Sequence, residues 1–422
     1  MRNSIRLSIR PVLYLMLTGL TALLSFSPAD SAFVSENMAH ANALLKNMLR
    51  QASGTTFPKT IDASGKLKST SMYDWTSGFF AGNLWYAYEA SHDETLRQAA
   101  IQWTEKLAPV QMFTGNHDLG FMMYCSYGNA YRLTGNPAYK AVLVQSAKSL
   151  ATRFSSVTGS IKSWDKFVSW HGQPTYTFPV IIDNMMNLEL LFFASRATGD
   201  LSFRQIAVTH ANTVLKNQIR PDFSCYHVVC YDDKTGAVLG RETAQGYADN
   251  STWSRGQAWG IYGFTVMYRE TRDPVYLDAA RRMADYYLTN KNMPADKIPY
   301  WDFNLYQPGF TPGPEAHTAE VTAPLRDASA AAITASALLE LGGYLGRAGT
   351  TYRLAAVTML RSLASPDYRA NPGENGNFIL KHSVGSIPHG FERDVPLVYA
   401  DYYFLEALLR YAALGKARPG RY

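Results

Sequence analysis

One unit recurs along this chain and restricts what it can fold into. An apolar helix rich in small residues ends near Thr-Gly or Arg-Asp. A short turn follows, then a second helix rich in Ala and charge. The clearest copy runs from Leu119 to Leu133, turns at Thr134-Gly135-Asn136-Pro137, and resumes from Tyr139 to Phe154. Asn184 to Ala197 and Phe203 to Asn217 repeat it across Thr198-Gly199-Asp200. Thr252 to Glu270 and Tyr276 to Leu288 repeat it across Arg272-Asp273-Pro274. Gly135 and Gly199 are helix stops, and Pro137 and Pro274 stand where a new helix can begin. Thr76 to Ser91 with Glu94 to Leu107, and Ala328 to Tyr344 with Tyr352 to Leu363, add two hairpins. Ala39 to Arg50 at one end and Val398 to Leu414 at the other complete a sixth.

Six hairpins with a period near 65–75 residues predict an all-α closed double ring. First helices are apolar nearly all round, as buried inner helices must be, and second helices are amphipathic. The exception to helix is a small hairpin expected at Val228 to Tyr231 with Thr235 to Leu239. An open solenoid would lack the long loops at 155–182, 218–251, 289–325 and 365–397. Each joins an outer helix to the next inner one, so all four gather at one end, where a pocket belongs. No linker divides the chain, so residues 33–422 read as one domain.

Residues 1–32 read as a secretory signal peptide. Arg2, Arg6 and Arg10 precede an apolar run from Val12 to Leu24 and the small residues Ser27, Ala29, Ser31 and Ala32. The run is too short for a membrane span of roughly 20 residues. The expected product is exported, to the periplasm or beyond, with cleavage after Ala29 or Ala32 and no span in the mature chain. Net charge is +6, of which two units belong to that leader. With no Lys/Arg run, this argues against nucleic acid and merely suits a small anion. Three cysteines cannot form a full disulfide framework, although Cys225 and Cys230 could pair. Without CxxC, HExxH or paired histidines, no catalytic metal and no cofactor are expected.

Polar residues collect just ahead of the inner helices: Asp74-Trp75-Thr76, His117-Asp118, Asp183-Asn184, the stretch Gln245 to Trp259, Arg326-Asp327, and Asp394 to Asp401. Asp118 and Asp183 are either helix N-caps or acids whose pKa is raised by burial beside each other. The residues alone leave both open. Trp75, Trp253 and Trp259 offer flat apolar faces suited to a sugar ring. Arg255, at an apolar helix start, requires an anionic ligand or an Asp partner. His117 and His227 sit in the same loops. Taken together these residues describe a carbohydrate-active enzyme with two acids, whose outcome would follow from the carboxylate separation.

The motifs Trp75-Thr76-Ser77-Gly78-Phe79-Phe80, His117-Asp118-Leu119-Gly120-Phe121, Asp183-Asn184-Met185-Met186-Asn187 and Trp253-Ser254-Arg255-Gly256-Gln257-Ala258-Trp259 resemble the unsaturated glucuronyl hydrolases of glycoside hydrolase family 88. Arg326 to Ala331 and Ala400 to Leu408 fit too, so the resemblance runs from about residue 70 to about 410. It implies an (α/α)6 barrel acting on unsaturated uronic-acid oligosaccharides left by polysaccharide lyases. Such enzymes protonate C4 of the C4=C5 vinyl ether, and water adds at C5. By match, Asp183 is the general acid and then the base, and Asp118 holds the ring and stabilises positive charge. His227 and Gln245 match residues that assist near the ring and water, and Arg255 and Trp259 match residues that hold and stack the sugar. His117, Trp75, Trp253 and Thr243 line the same cavity. Some members carry Ser-x-x-Ser-x-Lys for sulfated sugars. Here Ser383-Val384-Gly385-Ser386-Ile387-Pro388 has Pro for Lys, with Lys381 or His389 as substitutes. The alternatives are an unsaturated rhamnogalacturonyl hydrolase acting on pectin fragments, a polysaccharide lyase, and a non-catalytic sugar-binding protein on the same scaffold.

Overall fold

The computed structural model describes residues 26–52, 54–313, 316–317 and 324–416. Among them, twelve helices alternate between two rings. They are α1 (Pro28–Gln51), α2 (Ser77–Ser91), α3 (Glu94–Glu105), α4 (Gly120–Gly128 continuing through Asn129–Thr134), α5 (Pro137–Ala151) and α6 (Ile182–Asn187 continuing through Leu188–Thr198). Then come α7 (Leu201–Asn217), α8 (Ser254–Thr271), α9 (Pro274–Thr289), α10 (Ala328–Tyr344), α11 (Thr350–Leu363) and α12 (Val398–Lys416). The even-numbered helices form the inner ring. It closes because α12 packs on both α10 and α2. The sixth hairpin is α12 with α1, as the two chain ends suggested, but α1 begins at Pro28 rather than Ala39.

The corners explain why the hairpins repeat. Four inner helices end on a left-handed residue followed directly by an Asx N-cap of the next helix. At Gly135-Asn136 the glycine has φ 66° and Asn136 accepts a bond from the Ala138 N–H. Gly199-Asp200 repeats the device. His92-Asp93 and Arg272-Asp273 do the same with a non-glycine residue at φ 55° and 60°. Two local preferences, for the αL stop and for the capped start, thus reverse the chain within two residues.

The inner helices are buried on both sides. From Ala328 to Leu339 every residue of α10 is buried, mostly alanine and leucine, as is α2 from Ser77 to Ala87. Small residues set how closely the ring can pack. A Cβ added to Gly78 of α2 would lie 2.1 Å from the Met122 carbonyl oxygen of α4. Toward the far end stands Glu406 of α12. Its buried carboxylate accepts from Tyr86, Tyr262 and Ser336 and faces Arg410. These groups help line a cavity of about 600 Å³ among the C-terminal halves of the inner helices.

The expected hairpin exists, with a third strand added. Val228–Tyr231 pairs with Val238–Glu242 on one side and Pro179–Ile181 on the other, all antiparallel. Its second strand starts at Val238 rather than Thr235, because Asp232 caps the turn through the Lys234 and Thr235 N–H groups. Cys225 and Cys230 do not pair. Both are free, and they pack into different apolar clusters. Of the segment expected to be a leader, residues 1–25 lie outside the described residues. Residues 28–32 form the first turn of α1, held by a reciprocal Ser27–Asp30 cap. No helix among the described residues is long and apolar enough to cross a membrane.

The contact at Gly78 carries a prediction. Gly78→Ala forces α2 away from α4 and should lower stability by about 1–3 kcal/mol, the usual cost of overpacking, read as a lower midpoint in denaturant.

Candidate active site

All six inner helices run the same way, so their N-termini and the loops feeding them meet at one end. There they enclose a cleft of about 480 Å³ lined by Trp75, Asp118, Asp183 and Gln245, and by residues of the 164–170 and 389–391 segments. Clustered helix N-termini present N–H groups and partial positive charge, which favours an anionic ligand.

Neither Asp118 nor Asp183 caps a helix. Asp118 lies just before the wide first turn of α4, and Asp183 lies in the tight first turn of α6. Neither start has a side-chain capping bond. In contrast, Asp93, Asp200, Asp273 and Asp327 all cap. The two carboxylates therefore face the cleft while remaining 8% and 7% exposed. Burial pushes the Asp183 carboxyl up to about 7, while the Arg255 charge and the Trp259 indole N–H restrain the rise. Asp118 stands well above the usual carboxylate range, first from burial and then from the charges of Asp183 and Asp74. The site therefore holds at least one proton near neutral pH.

Each carboxylate has its own histidine. His227 Nδ1 accepts from the Ala244 and Gln245 backbone N–H groups at 3.1 and 3.2 Å. Burial holds the ring well below its ordinary pKa, so it is neutral and its proton sits on Nε2. That Nε2 lies 3.8 Å from Asp183 Oδ2, and neither atom has a hydrogen-bond partner. His117 follows the same logic. Its Nδ1 faces Asn187 Nδ2 at 3.4 Å, burial lowers its pKa to about 3, and its Nε2 lies 3.3 Å from Asp118 Oδ1. Asn187 is fixed in turn by the Gly120 N–H at 2.8 Å. A Cβ on Gly120 would come within 2.5 Å of Asn187, so this position admits only glycine without rearrangement.

The other expected site residues divide into wall and support. Trp75 and Gln245 line the cleft, and the Gln245 side chain donates to the Gly385 carbonyl at 3.3 Å. Thr243 is buried behind it, taking the Gly246 N–H at 2.7 Å and facing His227. Trp253 and Trp259, expected as stacking surfaces, are buried at 3% and 0% and are not part of the cleft wall. Trp253 instead packs on His227, ring centroids 4.4 Å apart. Arg255 is not a wall residue either. It pairs with Asp327 at 3.4 Å and donates to the carbonyls of Val384 and Gly385, so it has the Asp partner the sequence called for, although its Nε has no hydrogen-bond partner. Those bonds anchor the Ser383–Ser386 loop. Asp401 holds the preceding segment through the Ile379 and Leu380 N–H groups, and Arg326 pairs with Asp296. Several motif residues are thus architectural.

The sequence reading missed the outer rim: Trp164, Lys166, Ser169, Trp170 and Phe391. Trp170 and Phe391 are exposed at 36% and 44%, unusual for large apolar side chains. A signal existed, since Trp164 and Trp170 are six apart in a loop, like Trp253 and Trp259. The difference is that Trp259 lies inside an inner helix. Of the two candidates for the missing lysine, Lys381 bonds to the Pro366 carbonyl, whereas His389 lines the cleft and meets Ser386 Oγ at 2.6 Å.

Residues 50–270 match the family model for Glycosyl Hydrolase Family 88. The chain is 41% identical over 406 residues to an unsaturated glucuronyl hydrolase of Formosa agariphila, covering 94% of this chain and 96% of that one. The chain belongs to glycosyl hydrolase family 88. An unsaturated chondroitin disaccharide hydrolase of Streptococcus agalactiae is 34% identical, covering 85% and 86%. Among solved structures, an unsaturated glucuronyl hydrolase specific for heparin superposes with TM-score 0.84 at 42% identity, covering 92% of this chain and 98% of that one. The glycosaminoglycan-degrading enzyme of Bacillus sp. GL1 superposes at 0.79 with 30% identity, covering 89% and 96%. Membership makes this chain a glycoside hydrolase and supports the α/α barrel read from its hairpins.

The coupling of the acids gives a second prediction. Removing the Asp183 charge in Asp183→Asn should lower the Asp118 pKa, because that charge now raises it. Carboxyl carbon shifts followed by NMR across pH will show the Asp118 midpoint fall; an unchanged midpoint means that the two acids do not interact.

Proposed function

We propose that this enzyme removes the 4,5-unsaturated uronic acid from the non-reducing end of lyase-generated glycosaminoglycan oligosaccharides by hydrating the C4=C5 vinyl ether. The carrying observation is a cleft acid, Asp183, whose pKa, raised by burial to about 7, leaves a large share of it protonated near neutrality. Its Oδ2 has no hydrogen-bond partner.

Asp183 gives its proton to C4, and positive charge develops at C5 and the ring oxygen. The two acids titrate as a coupled pair; when the proton sits on Asp183, the ionised Asp118 offsets that charge. The Asp183 carboxylate then takes a proton from water as the water oxygen bonds to C5. His227 Nε2–H, pointing toward Asp183 at 3.8 Å, is placed to orient that water. The resulting hemiketal opens and releases the remaining sugar. The substrate carboxylate adds negative charge near Asp183 and raises its pKa further, so binding keeps the acid loaded.

The names of the relatives at 41% and 34% identity support a glycosaminoglycan fragment over a pectin fragment. Within that class, the heparin-specific structure at 42% identity supports a heparin-derived disaccharide. Rim residues Lys166 and His389 are placed to meet its anionic groups, with Trp170 as the stacking surface. Export to the periplasm or beyond is part of the proposal, supported by the basic and apolar leader.

The assay follows the ultraviolet band of the conjugated alkene in unsaturated heparin, chondroitin and rhamnogalacturonan disaccharides. The band should disappear with the first two and persist with the third; appearance of a band from intact polymer would instead identify a lyase. Asp183→Asn should reduce kcat by about 10²–10⁴-fold or more while retaining binding. The rate should fall as pH rises through about 7, where Asp183 loses its proton. Trp170→Ala should raise KM about tenfold, ~1.4 kcal/mol, with a smaller effect on kcat.

A further inference from the structure

Outside the acid pair, His171, Glu242 and Asp249 come together from two segments that build the cleft wall. His171 lies in the loop of a short hairpin, Phe167–Val168 with Thr175–Tyr176. Glu242 ends the strand Val238–Glu242, and Asp249 follows it in the loop toward α8. One ligand atom from each side chain lies within 4.8 Å of the other two. His171 Nε2 and Asp249 Oδ2 are hydrogen-bonded to each other at 3.1 Å. Two ligands of a tetrahedral zinc-type ion with bonds of about 2.0–2.1 Å sit about 3.3 Å apart, so an ion replacing the shared proton would move this pair little.

The second observation is Glu242 itself. It is 5% exposed, and its Oε2 has no hydrogen-bond partner. A buried carboxylate oxygen left unsatisfied is costly, and a second carboxylate nearby adds repulsion. A bound cation would relieve both at once. We propose that His171, Glu242 and Asp249 form a binding site for one divalent transition-metal ion of the zinc class. An imidazole nitrogen with two carboxylates suits zinc, cobalt or manganese, whereas calcium and magnesium prefer oxygen alone.

The ion's role is structural. Ser169 and Trp170 immediately precede His171, and Ala244 and Gln245 lie between Glu242 and Asp249; all four line the cleft. Asp249 Oδ1 also takes the Thr243 N–H at 2.7 Å, which fixes that carboxylate from behind. An ion here clasps two wall segments together without touching Asp118 or Asp183. His171 is exposed, so solvent can deliver the ion and supply a remaining ligand.

The test uses full-length protein stripped with chelator and titrated with zinc chloride by calorimetry, with cobalt(II) absorption as a spectroscopic readout. One ion per chain, visible cobalt bands of low-coordinate geometry and an upward Tm shift with zinc are expected. His171→Ala should weaken binding at least tenfold and abolish the Tm shift, as should Glu242→Gln. Because Glu242 is buried and its variant can fail to fold, the exposed His171→Ala variant decides the matter. Absence of saturable one-to-one binding, or binding unchanged in His171→Ala, overturns the proposal. Neither readout depends on turnover.

Discussion

Two carboxylates kept out of water at the mouth of a helical ring are what the remaining structure serves. Burying an acid raises its pKa, and burying a second acid beside it raises at least one of them further. A protein tolerates that strain only if the surroundings leave no cheaper arrangement. Here the route of escape that most helix-start aspartates take, accepting backbone N–H bonds, is absent. Both helices start with irregular windings, wide over Gly120–Gly128 and tight over Ile182–Asn187, and neither start has a side-chain cap.

The histidines complete the arrangement. Each is neutral because it is buried, and each has its Nδ1 facing a donor, so each directs Nε2–H at an acid. A neutral donor near a carboxylate orients it without the large pKa depression an arginine would impose. The arginine that acts on Asp183, Arg255, is itself paired with Asp327 and bonded to the 384–385 carbonyls, which limits its pull on that acid. Support residues therefore act on the chemistry by holding charges in place, and several of the most distinctive sequence motifs are explained by that work.

The hairpin count, the inner and outer alternation and the helix stops at Gly135 and Gly199 were legible because each depends on residues within a few positions of one another. An αL stop followed by an Asx cap is a local signal. Asp118 and Asp183 were legible as a pair because both stand just ahead of apolar helices. The positions of Trp253, Trp259 and Arg255 were not. Aromatic and charged residues near a helix start face either the cleft or the space behind it. Which way they face depends on the rotation of α8 against its neighbours. The rim at 164–170 escaped for a related reason: its strands are two residues long and gain their place only by lying across the barrel mouth.

By itself, the order of residues determined a ring of six hairpins, the end at which its long loops meet, and which acids stand there, since all three follow from short-range periodicity and connectivity. The tertiary structure alone decided which of those polar groups are wall and which are foundation, which proton each histidine carries, and how far burial shifts each acid. Those properties depend on distances between segments far apart in the chain and on the water that packing excludes. Neither has a local signature.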